Sequence, residues 1–492
     1  MSMKIVLIGA GSAQFGSGTL GDIFQSSILS GSEIILHDIN GAALEKMQKH
    51  SEQFIRDHGL NFNVTSTTDR KTALKNADFI IISIEAGDRF ALWDMDRTIP
   101  QQHGIRQVYG ENGGPGGLFH SLRIIPPILD ICEDISAVCP DAFIFNYSNP
   151  MSRIVTTVKR KYPDLKFTGL CHEIASLEEH LPAILGVPLD TVSYRAGGLN
   201  HFSALLEVKY KGTGEDAYPD IRQKAPTYFS VQPGYSEMWK FARETLGTFF
   251  SGGTVSSFDP EAFLPRLKKA LGDILPSKIT DKEILEVFNT EGFYSFDLKS
   301  YLKPLKEWSD RFLFREILET FNLLPITGDS HFGEYIQWAH SAVDQKGILD
   351  FYSFYRTVLS LFTPGISLKL DERVVPIIEG IITDSGYEEA AVNILNDGYI
   401  EDLPSWIAVE VPAIIDARGI HGIKLKVPGG FRGLLANQIG IHNMTAEAVL
   451  QGRKDLVLQA LLVDPVVDTS TGLSDMVDFM IEMQTPYLQY LK

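Results

Sequence analysis

A chain of 492 residues has room for two or three domains at about 150 residues each. Its 44 Lys and Arg against 62 Asp and Glu leave a formal charge of −18, which argues against a nucleic-acid or anionic-membrane surface, where basic patches supply the affinity. With 44% hydrophobic and 10% aromatic residues it can build a core, and its three cysteines are too few for a disulfide framework and fit a reducing compartment.

The opening Met1–Lys4 runs directly into the apolar Ile5–Ile8, which Gly9 ends far short of a signal-peptide core. No stretch reaches the roughly 18 apolar residues of a membrane span, so a cytoplasmic protein is expected. Candidate strands follow at Lys4–Ile8, Glu33–His37, Phe62–Thr65, Phe79–Ile84, Ala142–Asn146 and Lys166–Leu170. Between them Ala42–His58 and Leu118–Val138 carry apolar residues at helical spacing. The strands are continuous hydrophobic runs, as in a parallel sheet covered on both faces.

After about Tyr194 the texture changes. Ser203–Tyr210 alternates like an exposed strand and ends in the turn Lys211-Gly212-Thr213-Gly214. The stretch 211–320 is rich in aromatics, Pro and Lys, with a helical piece at Glu261–Leu275. Ile348–Phe362 and Met444–Leu462 also read as helices. Val374–Thr383 suits either a strand or a helix with Pro376 in its first turn. The boundary falls near residue 195: a Rossmann-type α/β domain over 1–195, then a mixed α+β domain over 196–492.

Two groups of residues carry chemistry. Gly9, Gly11 and Ser12 follow the first strand and precede a helix, where a tight turn lets a pyrophosphate approach free N–H groups. Asp38 ends the second strand, where a ribose 2′-OH is bound; its other reading is a cap for the next helix. With no Arg beside Asp38, NAD is preferred over NADP. Cys171-His172-Glu173 follows the sixth strand, and Asn200-His201 comes after Gly197-Gly198-Leu199. A thiolate and an imidazole suit a divalent transition metal, the ordinary alternative being a buried Cys and a core His. Glu111 in the Gly-rich turn 109–117, Asn149 in Asn146–Pro150, and the acid-and-His segment Gly328–Glu334 also lie at loops, where capping and turn roles are usual.

Taken together, the opening Gly-Ala-Gly-Ser, Gly113–Gly117, Asn146–Pro150, Cys171-His172-Glu173 and Leu199-Asn200-His201 resemble glycoside hydrolase family 4, the NAD- and Mn-dependent glycosidases. Asn396-Asp397-Gly398, Val409–Pro412 and Asp416–Ile420 fit as well. The resemblance implies a two-domain fold like lactate and malate dehydrogenases, in a homodimer or homotetramer. It also implies a glycosidase that oxidises C3 of the sugar, removes the C2 proton, eliminates the aglycone, adds water at C1 and returns the hydride. Cys171 and His201 match the family's metal ligands and Asn149 its substrate-contacting Asn. Asp329 falls where some members carry the base, and Glu111 and His172 are the candidates for the acid. His172 after Cys171 suits non-phosphorylated sugars, and the other motifs look most like α-galactosidase and α-galacturonidase members, so a galacto-configured substrate is expected. The alternatives are an α-glucosidase or α-glucuronidase of the same family, or a plain NAD-dependent dehydrogenase. The segment 211–320 is longer than in typical members and is expected to form a lid or wall over the sugar site, the alternative being a surface decoration or an oligomer contact.

Overall fold

In a computed structural model the described residues are 3–11, 13–231, 312–343 and 372–492, with a few single positions between 344 and 371. Ser12, the helical pieces at 261–275 and all but the ends of the 211–320 segment lie outside them, as does nearly all of 348–362.

Among the described residues twelve strands form one sheet. The first six are parallel: β1 (Lys4–Ile8), β2 (Glu33–His37), β3 (Asn63–Thr67), β4 (Phe79–Ile82), β5 (Phe143–Asn146) and β6 (Lys166–Gly169). They stand in the order 3-2-1-4-5-6, the dinucleotide-binding order, whose switch point lies between β1 and β4. Successive side chains of β1 point to opposite faces. Ile5 and Leu7 join the core under α1 (Ala13–Gln25) and α2 (Gly41–His58), while Val6 and Ile8 join the core with α3 (Gly114–Val138) and α4 (Met151–Lys161). Both faces are buried, and the unbroken apolar runs follow from that.

Beyond β6 the sheet turns antiparallel through β10 (Tyr387–Leu395), β11 (Ala408–Asp416), β7 (Val192–Leu199), β8 (Phe202–Tyr210) and β9 (Leu324–Pro325), with β12 (Gly419–Gly422) on β11. The chain therefore inserts its late strands between β6 and β7. β8 is not the exposed strand that its alternation suggests. It pairs with β7 and β9, and Phe202–Leu205 are buried, because its polar Ser203 is spent on internal hydrogen bonds. Val374–Thr383 is a helix. The expected single helix 444–462 is two, Gly429–Gln451 and Lys454–Val463, broken at Gly452, whose φ of +65° suits glycine. No described helix is long and apolar enough to cross a membrane.

Asp464, just beyond Lys454–Val463, is 3% exposed, and its carboxylate accepts the Val466 N–H at 2.9 Å. Burial pushes its carboxyl up to about 6 against the Val466 bond and the field of Arg153. A folded-state value above the unfolded one means that stability falls as pH rises from about 4 to about 6 and stays lower above. Asp464→Asn mimics the protonated form and keeps the acceptor. It is expected to stabilise the protein by roughly 2–3 kcal/mol at pH 7–8 and by little at pH 4, read as paired thermal melts. The same gain at both pH values would rule this account out.

Candidate active site

The turn after β1 is shaped by two glycines. Gly9 has φ +88°, and a Cβ there would stand 1.9 Å from the Ser83 carbonyl oxygen beyond β4. Gly11 N–H donates to Asp38 Oδ2 at 2.8 Å, and a Cβ on Gly11 would meet that same oxygen at 2.7 Å. Asp38 is not the cap of α2. Asn40 takes that role, accepting from Ala43 N–H at 3.2 Å, while Asp38 Oδ1 accepts from Asn40 N–H. The carboxylate at the end of β2 thus faces the glycine turn, beside Ile39, whose side chain is 94% exposed. An open apolar side chain and an acid flanking a tight turn fit an adenosine moiety.

The second group gathers on the same rim. Cys171 comes two residues after β6, and His201 is the second residue of the two-residue link between β7 and β8. Cys171 Sγ and Glu173 Oε1 each lie 3.6 Å from His201 Nε2, and these three ligand atoms lie within 4.8 Å of one another. Glu173 Oε2 also accepts the His201 N–H at 3.2 Å. Thiolate, imidazole and carboxylate suit a borderline divalent ion and leave coordination positions open. Burial holds the His201 imidazole well below its ordinary value, helped by His331 and His172, so it is neutral. Burial, then Glu173 and Glu410, push the Cys171 thiol well up. Negative groups that hinder a free thiolate also attract a cation, and a bound cation deprotonates the thiol.

The amide of Asn112 lies 2.8 Å from His201 Nδ1. Its Oδ1 is buried without a hydrogen-bond partner. With the amide turned so that this oxygen faces Nδ1–H, both groups are satisfied and the Nε2 lone pair points at Cys171 and Glu173. Asn112 belongs to the loop before α3, and that loop is strung on Glu334. Glu334 accepts the N–H groups of Glu111 at 3.2 Å, Asn112 at 2.6 Å and Gly113 at 2.5 Å, and its carboxylate lies 3.5 Å from His331 Nδ1. The His331 ring lies 4.4 Å from that of His201, centroid to centroid. Burial opposes a charge on His331, but Glu334 and Glu111 outweigh it and raise its pKa to about 9.

The sequence profile described as "Family 4 glycosyl hydrolase" matches residues 4–187, and that of the "Family 4 glycosyl hydrolase C-terminal domain" matches 196–467. The chain belongs to glycosyl hydrolase family 4. Membership replaces the plain dehydrogenase alternative. Among curated relatives, "Alpha-glucosidase" of Erwinia rhapontici is 57% identical over 492 residues, covering 100% of both chains. "Alpha-galactosidase" of Bacillus subtilis (strain 168) is 29% identical over 475 residues, 96% of this chain and 95% of the relative. Among solved structures, a 6-phospho-alpha-glucosidase from gut microorganisms, described in complex with NAD and Mn2+, aligns with a TM-score of 0.72 at 18% identity over 100% of both chains.

Within this family 4 chain the structure sorts the expected site residues. Gly9, Gly11 and Asp38 meet at one turn; Cys171 and His201 meet at the metal-type cluster. Asn149 ends the β5 loop, joined to Pro150 by a cis peptide bond, and its Oδ1 is buried without a partner, free to accept from a ligand. Glu111 is held ionised. Burial works against this, but Arg89, whose NH2 donates to Oε1 at 2.8 Å, and then His331 and His120, outweigh it. A carboxylate so held has no proton to give as an acid. His172 stands at the rim with its side chain 73% exposed, 3.9 Å from Glu372.

Asp329 accepts the N–H groups of Leu313 at 3.1 Å and Phe314 at 3.3 Å, capping the helix Phe312–Phe321. The segment Gly328–Glu334 does reach the cluster, through His331 and Glu334. Leu313 bonds Oδ2 and Phe314 Oδ1, so Asn keeps one of the two acceptors, and one accepting oxygen is what a helix cap ordinarily supplies. Asp329→Asn is therefore expected to keep activity within a few-fold, and Asp329→Ala to cost about 1 kcal/mol of stability. A loss of more than about 100-fold in the Asn variant, in the range typical of a missing general base, would restore Asp329 as the base. Glu173, Asn112, His331 and Glu334 were not singled out from the sequence. Glu173 stands inside the Cys-His-Glu motif, His331 and Glu334 inside the acid-and-His segment and Asn112 inside the Gly-rich turn, but nothing local to those segments says which of their residues faces the cluster.

Proposed function

We propose that this chain is an NAD- and divalent-metal-dependent α-glucosidase acting on a non-phosphorylated, gluco-configured α-glycoside. The observation that carries the substrate class is the 57% identity, end to end, with the Erwinia rhapontici α-glucosidase. The galacto-configured substrate expected from short motifs gives way to it, since the α-galactosidase relative shares only 29%. We keep the boundary between the NAD-binding and substrate domains near 195, in the gap between the two matched stretches.

Gly9, Gly11 and Asp38 would hold the dinucleotide, and Cys171, His201 and Glu173 would hold the metal, Mn2+ or a similar ion. When bound, these groups supply reversible hydride chemistry at C3 and polarise the C2 and C3 oxygens of the sugar. The chain's own residues do the rest. Asn112 fixes the His201 tautomer. Asn149, at the C-terminal end of β5, offers its free Oδ1 to a sugar hydroxyl. Cationic His331 beside ionised Glu111 places a proton donor and an acceptor next to the cluster. His172, exposed at the rim, remains open to the leaving aglycone.

The test is hydrolysis of p-nitrophenyl α-glucoside against the α-galactoside and α-galacturonide, with NAD and Mn2+, before and after EDTA. The reading expects nitrophenol release from the glucoside foremost, no net NADH, and loss on chelation. Preference for either galacto-configured substrate would overturn the substrate class, and NADH accumulating one for one with product would overturn the mechanism.

A further inference from the structure

Behind the Cys171–Glu173–His201 cluster lies a second carboxylate that touches none of its ligand atoms. Glu410 sits mid-sheet on β11, opposite Gly198 of β7 and Asn393 of β10, and is 1% exposed. Its Oε2 accepts from Asn200 Nδ2 at 2.9 Å and from Asn393 Nδ2 at 3.1 Å. Its Oε1 lies 2.8 Å from Ser203 Oγ. Asn200 precedes His201 and Ser203 follows it by two residues, so both ends of the turn are tied to one carboxyl.

The turn needs such tying. His201 adopts φ +61°, a left-handed conformation that costs a residue with a Cβ roughly 1–2 kcal/mol. Asn200 is clamped from two further sides: its N–H donates to Ser152 Oγ at 3.0 Å, and its carbonyl accepts from Tyr335 O–H at 3.3 Å. Of these clamps only Glu410 reaches both residues that bracket His201. The count of protons specifies how. Ser203 Oγ lies 2.9 Å from the Leu199 carbonyl oxygen as well as 2.8 Å from Glu410, and the hydroxyl has one proton. When that proton serves Leu199, a proton on Glu410 Oε1 serves Ser203, and Leu199, Ser203 and Glu410 are all paired.

We propose that Glu410 is the positioning residue that pre-forms the Asn200–His201 turn, so that His201 presents Nε2 to Cys171 and Glu173 before any cation arrives. The proposal rests on the metal reading given above. Glu410 acts through Asn200 and Ser203, by its shape and hydrogen bonds and not by its charge.

The experiment is Mn2+ binding to the full-length protein, followed by the electron paramagnetic resonance signal of free Mn2+, with NAD affinity and thermal melts alongside. Glu410→Gln keeps the oxygen for the two Asn amides and an N–H for Ser203, and it is expected to hold Mn2+ within about 3-fold of the parent chain. Glu410→Ala is expected to weaken Mn2+ binding about 10- to 100-fold, the usual effect of losing an outer-sphere partner, with NAD affinity within about 2-fold. Asn200→Ala, which cuts the same tie from the other side, serves if Glu410→Ala does not fold, and is expected to weaken Mn2+ similarly. Equal loss in the Gln and Ala variants would assign the effect to charge and overturn the proposal. So would unchanged Mn2+ affinity in Glu410→Ala or Asn200→Ala, or a parallel fall in NAD affinity, which marks a general structural role. No Mn2+ binding by the parent chain would instead overturn the metal reading itself.

Discussion

Replacing Cys171 by Ser is expected to lower Mn2+ affinity by about 100-fold or more and to remove glycosidase activity to a comparable degree. The two side chains are nearly equal in volume, so the fold tolerates the change. The chemistry does not carry over, because a thiol gives up its proton to a divalent ion near neutral pH and a serine hydroxyl does not. His201 Nε2 and Glu173 Oε1, 3.6 Å apart, would remain as a pair with a weak third donor. The effect is separable from unfolding. A ligand that binds only the folded state raises the melting temperature with its concentration. The parent chain is therefore expected to gain stability with added Mn2+, whereas Cys171→Ser gains little over the same range and melts near the parent's apo temperature. Full activity in Cys171→Ser would show that the cluster is not the metal seat.

Which parts of this arrangement were legible in the chain follows from the range of the interactions. The inner strands of the parallel half were readable because they are buried on both faces, unlike the polar edge strand β3. Ile5 and Leu7 feed one core and Val6 and Ile8 the other, so the run is apolar throughout. Cys171 was placed by its position after a strand of the parallel sheet, where an open α/β sheet presents ligand groups, but its pairing with His201 as a ligand came from the family resemblance, spacing alone leaving a buried Cys and a core His open. Asp329 shows the limit of such reading. It shares a seven-residue segment with His331 and Glu334, and no spacing rule says which of the three faces inward. The helix Phe312–Phe321 decides, by taking the Asp329 carboxylate for its free N–H groups. The late strands were likewise hidden: β10 docks on β6 through the pair Asn393–Gly169, a contact between segments far apart in the chain. Glu334 and the loop that it carries are 222 residues apart at Asn112, beyond any local pattern.

That long-range contact gives the largest expected loss of stability. Glu334 is 1% exposed and serves the N–H groups of three successive residues, Glu111, Asn112 and Gly113. Glu334→Ala would leave these buried donors without an acceptor at about 1–3 kcal/mol each, and with partial relaxation a total of roughly 3–5 kcal/mol is expected. The space is too tight for the loop to rearrange freely. A Cβ on Gly113 would already stand 2.7 Å from Glu334 Cβ, and one on Gly117 would stand 2.2 Å from the Asn112 carbonyl carbon. The loop must loosen as a unit, and with it Asn112, which sets the His201 tautomer, and Glu111, which pairs with Arg89. Activity is therefore expected to fall more steeply than stability alone accounts for, by about 100-fold or more at a temperature where the variant is folded. Glu334→Gln keeps one carbonyl oxygen for the donors but turns an N–H toward the rest of the loop, so an intermediate loss is expected. The order parent, Gln, Ala in both melting temperature and activity is the signature of an acceptor for backbone N–H groups. Glu334→Ala with unchanged melting temperature would show that the loop holds its shape through its glycines alone.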